Sequence, residues 1–172
     1  MSGSAARLFS ALVPSAPAVG HLSRHLDRTA DLRWEPDENW HVTLGFYGTG
    51  DDPERRSAWL RERLRGQGAF RVRLSGADSF PGVLWIGVSG DEAALHDLAV
   101  AAGSGLEDRE YRPHLTLARY RHGQKRLAKG LIHNLSNYQG PEWAADEVVL
   151  FASSPQPGES SRHTVLDRIP LH

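Results

Sequence analysis

Trp40–Tyr47 alternates without a break, with Trp40, Val42, Leu44 and Phe46 on one parity and His41, Thr43, Gly45 and Tyr47 on the other. A period of two predicts a β-strand buried on one face, because successive side chains on a strand point to opposite sides. His41 and Thr43 then share the non-core face, about 7 Å apart along the backbone. The pattern returns 73 residues later, where His114 and Thr116 share one face and Leu115 and Leu117 the other. With 9 histidines and 5 threonines in 172 positions, chance supplies only about a quarter of one His-x-Thr match. Two copies, each with an apolar residue inside and a leucine behind, are hard to ascribe to composition. They suggest a duplicated unit about an approximate two-fold axis, although the halves share little outside the motifs.

The remaining chain alternates strands with helices, and some strands are neighbours in sequence. Arg7–Val13 reads as a strand ended by Pro14, and Val19, Leu22 and Leu26 mark a helix after it. Pro53 opens a second helix with Trp59, Leu60 and Leu64 on one side. Phe70–Leu74 and Val83–Val88 read as strands flanking a turn-rich Ser75–Gly82. Asp91–Ala102 reads as a helix that buries Leu95, Leu98 and Ala102, and Leu115–Tyr120 as another strand. Leu127, Leu131 and Leu135 mark a fourth helix, and Val148–Ala152 and Thr164–Ile169 close the chain around the turn-forming SSPQPGESS. No glycine-rich phosphate loop follows any strand, so a doubly wound nucleotide fold or a P-loop enzyme is not supported. The expectation is α+β: one domain over residues 1–172, with two lobes and a flexible segment at 1–6.

Acidic and basic residues nearly cancel to a net charge of −1. Long duplex nucleic acid, which is held by a strongly basic face, is therefore an unsuitable partner. A small nucleotide or a single RNA end remains compatible. The chain has no cysteine, which removes thiolate nucleophiles, disulfides and cysteine-based zinc sites. No apolar run is long enough to span a bilayer, and Met1–Ala6 lacks an apolar signal core. A cytoplasmic monomer without membrane association or an obligate protein partner is expected.

Two His-x-Thr pairs meeting across a cleft suit a phosphodiester. Opening a cyclic phosphate needs a base to activate water and an acid to protonate the departing oxygen. Imidazole serves in either role near neutrality. Threonine hydroxyls can donate to the non-bridging oxygens where charge builds, and an arginine adds a bidentate grip.

Opening RLFSAL, then WHVTLGFYG, VLWIGV, YRPHLTLAR, VVLFASS and TVLDRIPL, the chain resembles one family almost end to end. This is the RNA 2′,3′-cyclic phosphodiesterases of the 2H phosphoesterase superfamily, once called 2′-5′ RNA ligases. The resemblance implies a bilobal fold, two sheets with flanking helices around a central cleft, and neither metal nor cofactor. It implies hydrolysis of RNA 2′,3′-cyclic phosphate ends to 2′-phosphomonoesters, with reverse ligation as a related activity. It also implies His41 as general acid, His114 as general base, and Thr43, Thr116 and Arg119 as phosphate-binding residues. Two positions depart from the family: Ser10 replaces the second aromatic of the opening strand, and His163 stands where tyrosine is usual. Both thin the aromatic lining expected of the cleft.

Arg119 falls off parity, on the Leu115 and Leu117 face, and reaches a phosphate only if the strand bulges or ends near Ala118. Arg119, Arg121, Lys125, Arg126 and Lys129 form a basic cluster suited to steering RNA or, as readily, to a solvated helix face. His21 and His25 imitate a helical metal pair without a third ligand. Trp85 is placed to stack on a base, but beside Leu84 and Ile86 it reads first as core. Two other functions stay open: a cyclic phosphodiesterase for a small nucleotide such as ADP-ribose cyclic phosphate, and a non-catalytic RNA-end-binding module. The second would be expected to have lost a histidine, and both are present.

Overall fold

A computed structural model describes residues 6–103, 110–156 and 159–172. The expected flexible segment at 1–6 lies outside the described residues except for Ala6, as do two residues of the final turn.

Among the described residues the order is β1 (Arg7–Leu12), α1 (Ala16–His25), β2 (Arg33–Trp34), β3 (Val42–Thr49), α2 (Pro53–Arg63), β4 (Phe70–Phe80) and β5 (Val83–Gly90). Then come α3 (Glu92–Ala101), β6 (His114–Arg119), α4 (Lys125–Leu135), β7 (Trp143–Ala145), β8 (Glu147–Gln156) and β9 (Glu159–Pro170). Local chemistry starts the helices. Ser15 caps α1 by accepting from Ala18 N, and Asp52 and Asp91 cap α2 and α3 in the same way. Pro17 and Pro53 occupy first turns, where a missing N–H costs nothing. None of these helices is long and apolar enough to cross a membrane.

All strand pairs are antiparallel, in the order β7-β4-β5-β6-β3-β1-β8-β9, with β2 added along the end of β6. In place of the two sheets expected, the strands form one nine-stranded sheet, whose halves β7-β4-β5-β6 (with β2) and β3-β1-β8-β9 are joined by the single pair Val42↔Leu115. In each half the strand at this waist carries a His-x-Thr motif. α4 packs on β4, α3 on β3 and β4, and α2 on β9. The core lies between these helices and one face of the sheet, where Leu22, Leu60, Leu98, Val42, Leu44, Leu115 and Leu117 are buried. The opposite face is left to form a cleft.

Several sequence expectations change at this level. The stretch expected as the turn Ser75–Gly82 continues β4 to Phe80, with a bulge at Gly76 (φ +66°) between Ser75 and Ala77. The β4–β5 hairpin is therefore long, and its turn is confined to Pro81–Gly82. Leu127, expected on the buried side of α4, is exposed, and Ala128 and Leu135 take that side with Leu131 partly buried. Phe46, expected in the core by strict alternation, is 50% exposed. The reason is a pairing slip in β3: Ser10 faces Gly45 but Ala11 faces Thr43, so Leu44 is an extra residue and parity reverses after it.

Candidate active site

Val42 and Leu115 are fully buried, so the residues on either side of them must face the other way. His41, Thr43, His114 and Thr116 all line one cleft of about 460 Å³. Extending the Val42↔Leu115 register by one residue sets His41 opposite Thr116 and Thr43 opposite His114. Tyr111 reinforces the waist by donating its hydroxyl to Thr43 O at 2.7 Å. Thus the two motifs meet because their strands are the ones that join the lobes.

The two histidines are held alike. His41 Nδ1 lies 2.6 Å from Asn39 O, and His114 Nδ1 lies 2.7 Å from Arg112 O, the carbonyl two residues upstream in each case. A carbonyl only accepts, so Nδ1 carries the proton in both rings. Nε2, on the far side of each ring, is then the nitrogen that carries the lone pair. Such a nitrogen accepts a proton when neutral and delivers one when charged. Aromatic contacts fix the ring planes: Phe9 lies 4.8 Å from His41, and Phe80 meets His114 edge-on at 4.9 Å.

Burial, the largest cause, pushes the His41 imidazole down to about 4. Its hydrogen bond to Asn39 opposes this, and the charges of His163, His114 and Arg119 add to it. Arg119 does reach the cleft, for the conditional reason anticipated from the sequence. Leu84 pairs with Ala118 but Trp85 pairs with Thr116, so Leu117 is a bulge and Arg119 turns to the motif face. There it bonds Glu35 at 3.1 Å, a carboxylate that is itself mostly buried.

Glu35 had no signal in the sequence. It is delivered by β2, a two-residue strand whose chain then donates Glu35 N to Leu117 O. Asn39, Phe9 and Phe46 were likewise missed as site residues, although Phe9 sits within the conspicuous opening strand. The expectation for Ser10 is corrected. It is fully buried and lies outside the cleft, where its hydroxyl donates to Tyr47 Oη at 2.8 Å while Tyr47 donates to Ala102 O. The aromatic lost there leaves the cleft untouched. His163 does line the cleft, 5.4 Å from His41. Trp85 is buried in the wall beneath His114, 5.7 Å ring to ring.

His21 and His25 stack at 4.4 Å on α1, away from the cleft, with His21 Nδ1 on the Tyr138 hydroxyl. Among the described residues no group of three His, Asp or Glu side chains gathers to hold a metal ion.

An antiparallel, two-lobed α+β fold with paired His-x-Thr strands at its waist defines a class of phosphoester-handling proteins. The chain belongs to the 2'-5' RNA ligase superfamily, whose pattern matches residues 12–155. It is 32% identical over 155 residues to an RNA 2′,3′-cyclic phosphodiesterase of Methanothermobacter thermautotrophicus, covering 80% of this chain and 84% of that one. It is 34% identical over 119 residues to one of Aeropyrum pernix, covering 59% of this chain and 66% of the relative. Among solved structures, E. coli LigT complexed with 3'-AMP superposes with a TM-score of 0.71 at 25% identity, over 98% of this chain and 99% of that one.

Proposed function

We propose that the protein hydrolyses RNA 2′,3′-cyclic phosphate ends to 2′-phosphomonoesters without a metal ion. The observation that carries this is the matched anchoring of His41 and His114, each held through Nδ1 by the carbonyl two residues upstream and both lining one cleft. The names of the relatives add to it. His114 Nε2 takes a proton from water as the oxygen attacks phosphorus. The P–O3′ bond breaks, and O3′ takes a proton from His41 Nε2–H. Thr43, Thr116 and Arg119 hold the non-bridging oxygens, with Arg119 poised by Glu35. A 5′-hydroxyl in place of water leaves a 2′–5′ linkage, which is the ligase reaction. One chain supplies every residue of this proposed site, which suits a monomer.

An oligonucleotide suits the surface better than a mononucleotide. Phe80, whose ring meets His114, also walls a second groove of about 300 Å³ with Tyr120, Lys125 and Lys129. Aromatic and basic side chains together suit the bases and backbone of a single strand. Turnover of an RNA oligomer ending in a 2′,3′-cyclic phosphate is therefore expected to exceed that of a mononucleotide 2′,3′-cyclic phosphate, with a 2′-phosphate product from both. Faster turnover of the mononucleotide would support the small-nucleotide reading, and a 3′-phosphate product would contradict the proposed leaving oxygen.

A further inference from the structure

We propose that His163 binds the substrate as a neutral hydrogen-bond donor, through an Nε2–H that faces the cleft. The inference rests on the function proposed above and names a further contact for its phosphate or ribose oxygens.

His163 lies on β9 opposite Ser153 of β8 and lines the same cleft as His41 and Arg119. Its ring is held edge-on by Phe9 at 5.3 Å and by His41 at 5.4 Å, with Phe151 at 6.0 Å. Nδ1 is buried with no hydrogen-bond partner. That one atom discriminates among the three protonation forms. A proton on Nδ1 leaves a buried donor unmet, a form seldom tolerated. The imidazolium leaves the same donor unmet and buries a charge as well. The neutral form with its proton on Nε2 leaves only a lone pair inside, and it directs an N–H outward.

The charged groups that face His163 agree with this choice. Burial lowers its pKa most, the Arg119 guanidinium lowers it further, and the Glu35 carboxylate opposes them. Glu35 is itself engaged with Arg119, and His41 beside it is held neutral by its own burial. His163 therefore keeps one proton across the neutral range.

The site thus holds three imidazoles in two tautomers. His41 and His114 carry their proton on Nδ1, so Nε2 is the basic nitrogen, whereas His163 carries its proton on Nε2. It cannot serve as a base at that atom. What it can do is donate to an oxygen on the His41 side of the cleft.

Nitrogen-15 NMR of histidine-labelled protein near neutral pH tests the tautomers without any need for turnover. His163 is expected to carry its proton on Nε2, and His41 and His114 on Nδ1; inorganic phosphate, as probe, is expected to shift the His163 Nε2 resonance. A proton on His163 Nδ1, a doubly protonated ring, or no response to phosphate would overturn the inference. Kinetics supply the second arm with the RNA cyclic phosphate. His163→Phe keeps the aromatic packing but removes the donor, and is expected to lower kcat/KM about ten-fold, the scale of one hydrogen bond to a charged group. His163→Tyr restores a donor and is expected to recover most of that loss. Full activity in His163→Phe, or no recovery in His163→Tyr, would also overturn the inference. Wild-type protein that fails to hydrolyse the RNA would instead sink the proposed function, and the NMR result would still be readable.

Discussion

His41 carries the sharpest tension in the site. A general acid must be protonated before the leaving oxygen departs, yet burial holds this imidazole down at about 4 in the free protein. A bound cyclic phosphate is an anion within contact distance, and an opposite charge favours the protonated ring. The folded-state pKa is thus low without substrate and rises with it. An acid's protonation sets the alkaline limb of a pH–rate profile, and kcat/KM reports the free enzyme whereas kcat reports the complex. The alkaline limb of kcat is therefore expected at higher pH than that of kcat/KM, as read from initial rates across a pH series. Coincident limbs would mean that substrate does not recharge His41, and would remove it as the acid. The histidines and threonines were legible because strand parity and repetition both bear on them. Glu35 and Asn39 were not read as partners because each reaches the cleft from a different strand or turn, and no periodicity links sites so far apart in sequence; position 163 was read as cleft lining only through the family resemblance.

At the scale of elements, three bulges decide what faces where. The extra residue Leu44 in β3 turns Phe46 outward, the extra residue Leu117 in β6 turns Arg119 into the cleft, and the bulge at Gly76 bends the long hairpin. Alternation read from the sequence is reliable up to the first bulge and inverted beyond it, which is why Val42 and Leu44 were placed correctly and Phe46 was not. Gly45 sits next to the first bulge where α3 ends against the sheet. A Cβ there would run into Ala102 O and lie 2.8 Å from the Tyr47 hydroxyl oxygen. The obstacle is backbone, so relief requires the end of α3 to move. Gly45→Ala is expected to destabilise the fold by about 1–3 kcal/mol, the usual range for overpacking, measured by thermal or urea unfolding. A melting curve superposable on that of the wild type would show that α3 is not seated as described.

Across the whole molecule, the two halves place equivalent strands at one waist, and the active cleft is the face that this joint leaves uncovered. The α+β class was legible from the order of elements, and the placing of a His-x-Thr motif in each half from the repeated pattern. The joint itself was not, because it is a single pair, Val42↔Leu115, made between strands far apart in the chain. Both histidines have the same carbonyl anchor, two residues upstream, and His163 and Arg119 lie near His41, where their charges lower its pKa. The central claim is that both imidazoles move protons, and single-turnover hydrolysis of an RNA 2′,3′-cyclic phosphate by His41→Ala and by His114→Ala tests it most directly. Each variant is expected to lose about 10²–10⁴ in rate, while millimolar EDTA leaves the wild-type rate unchanged. Wild-type rates in either variant, or a rate abolished by EDTA, would contradict it.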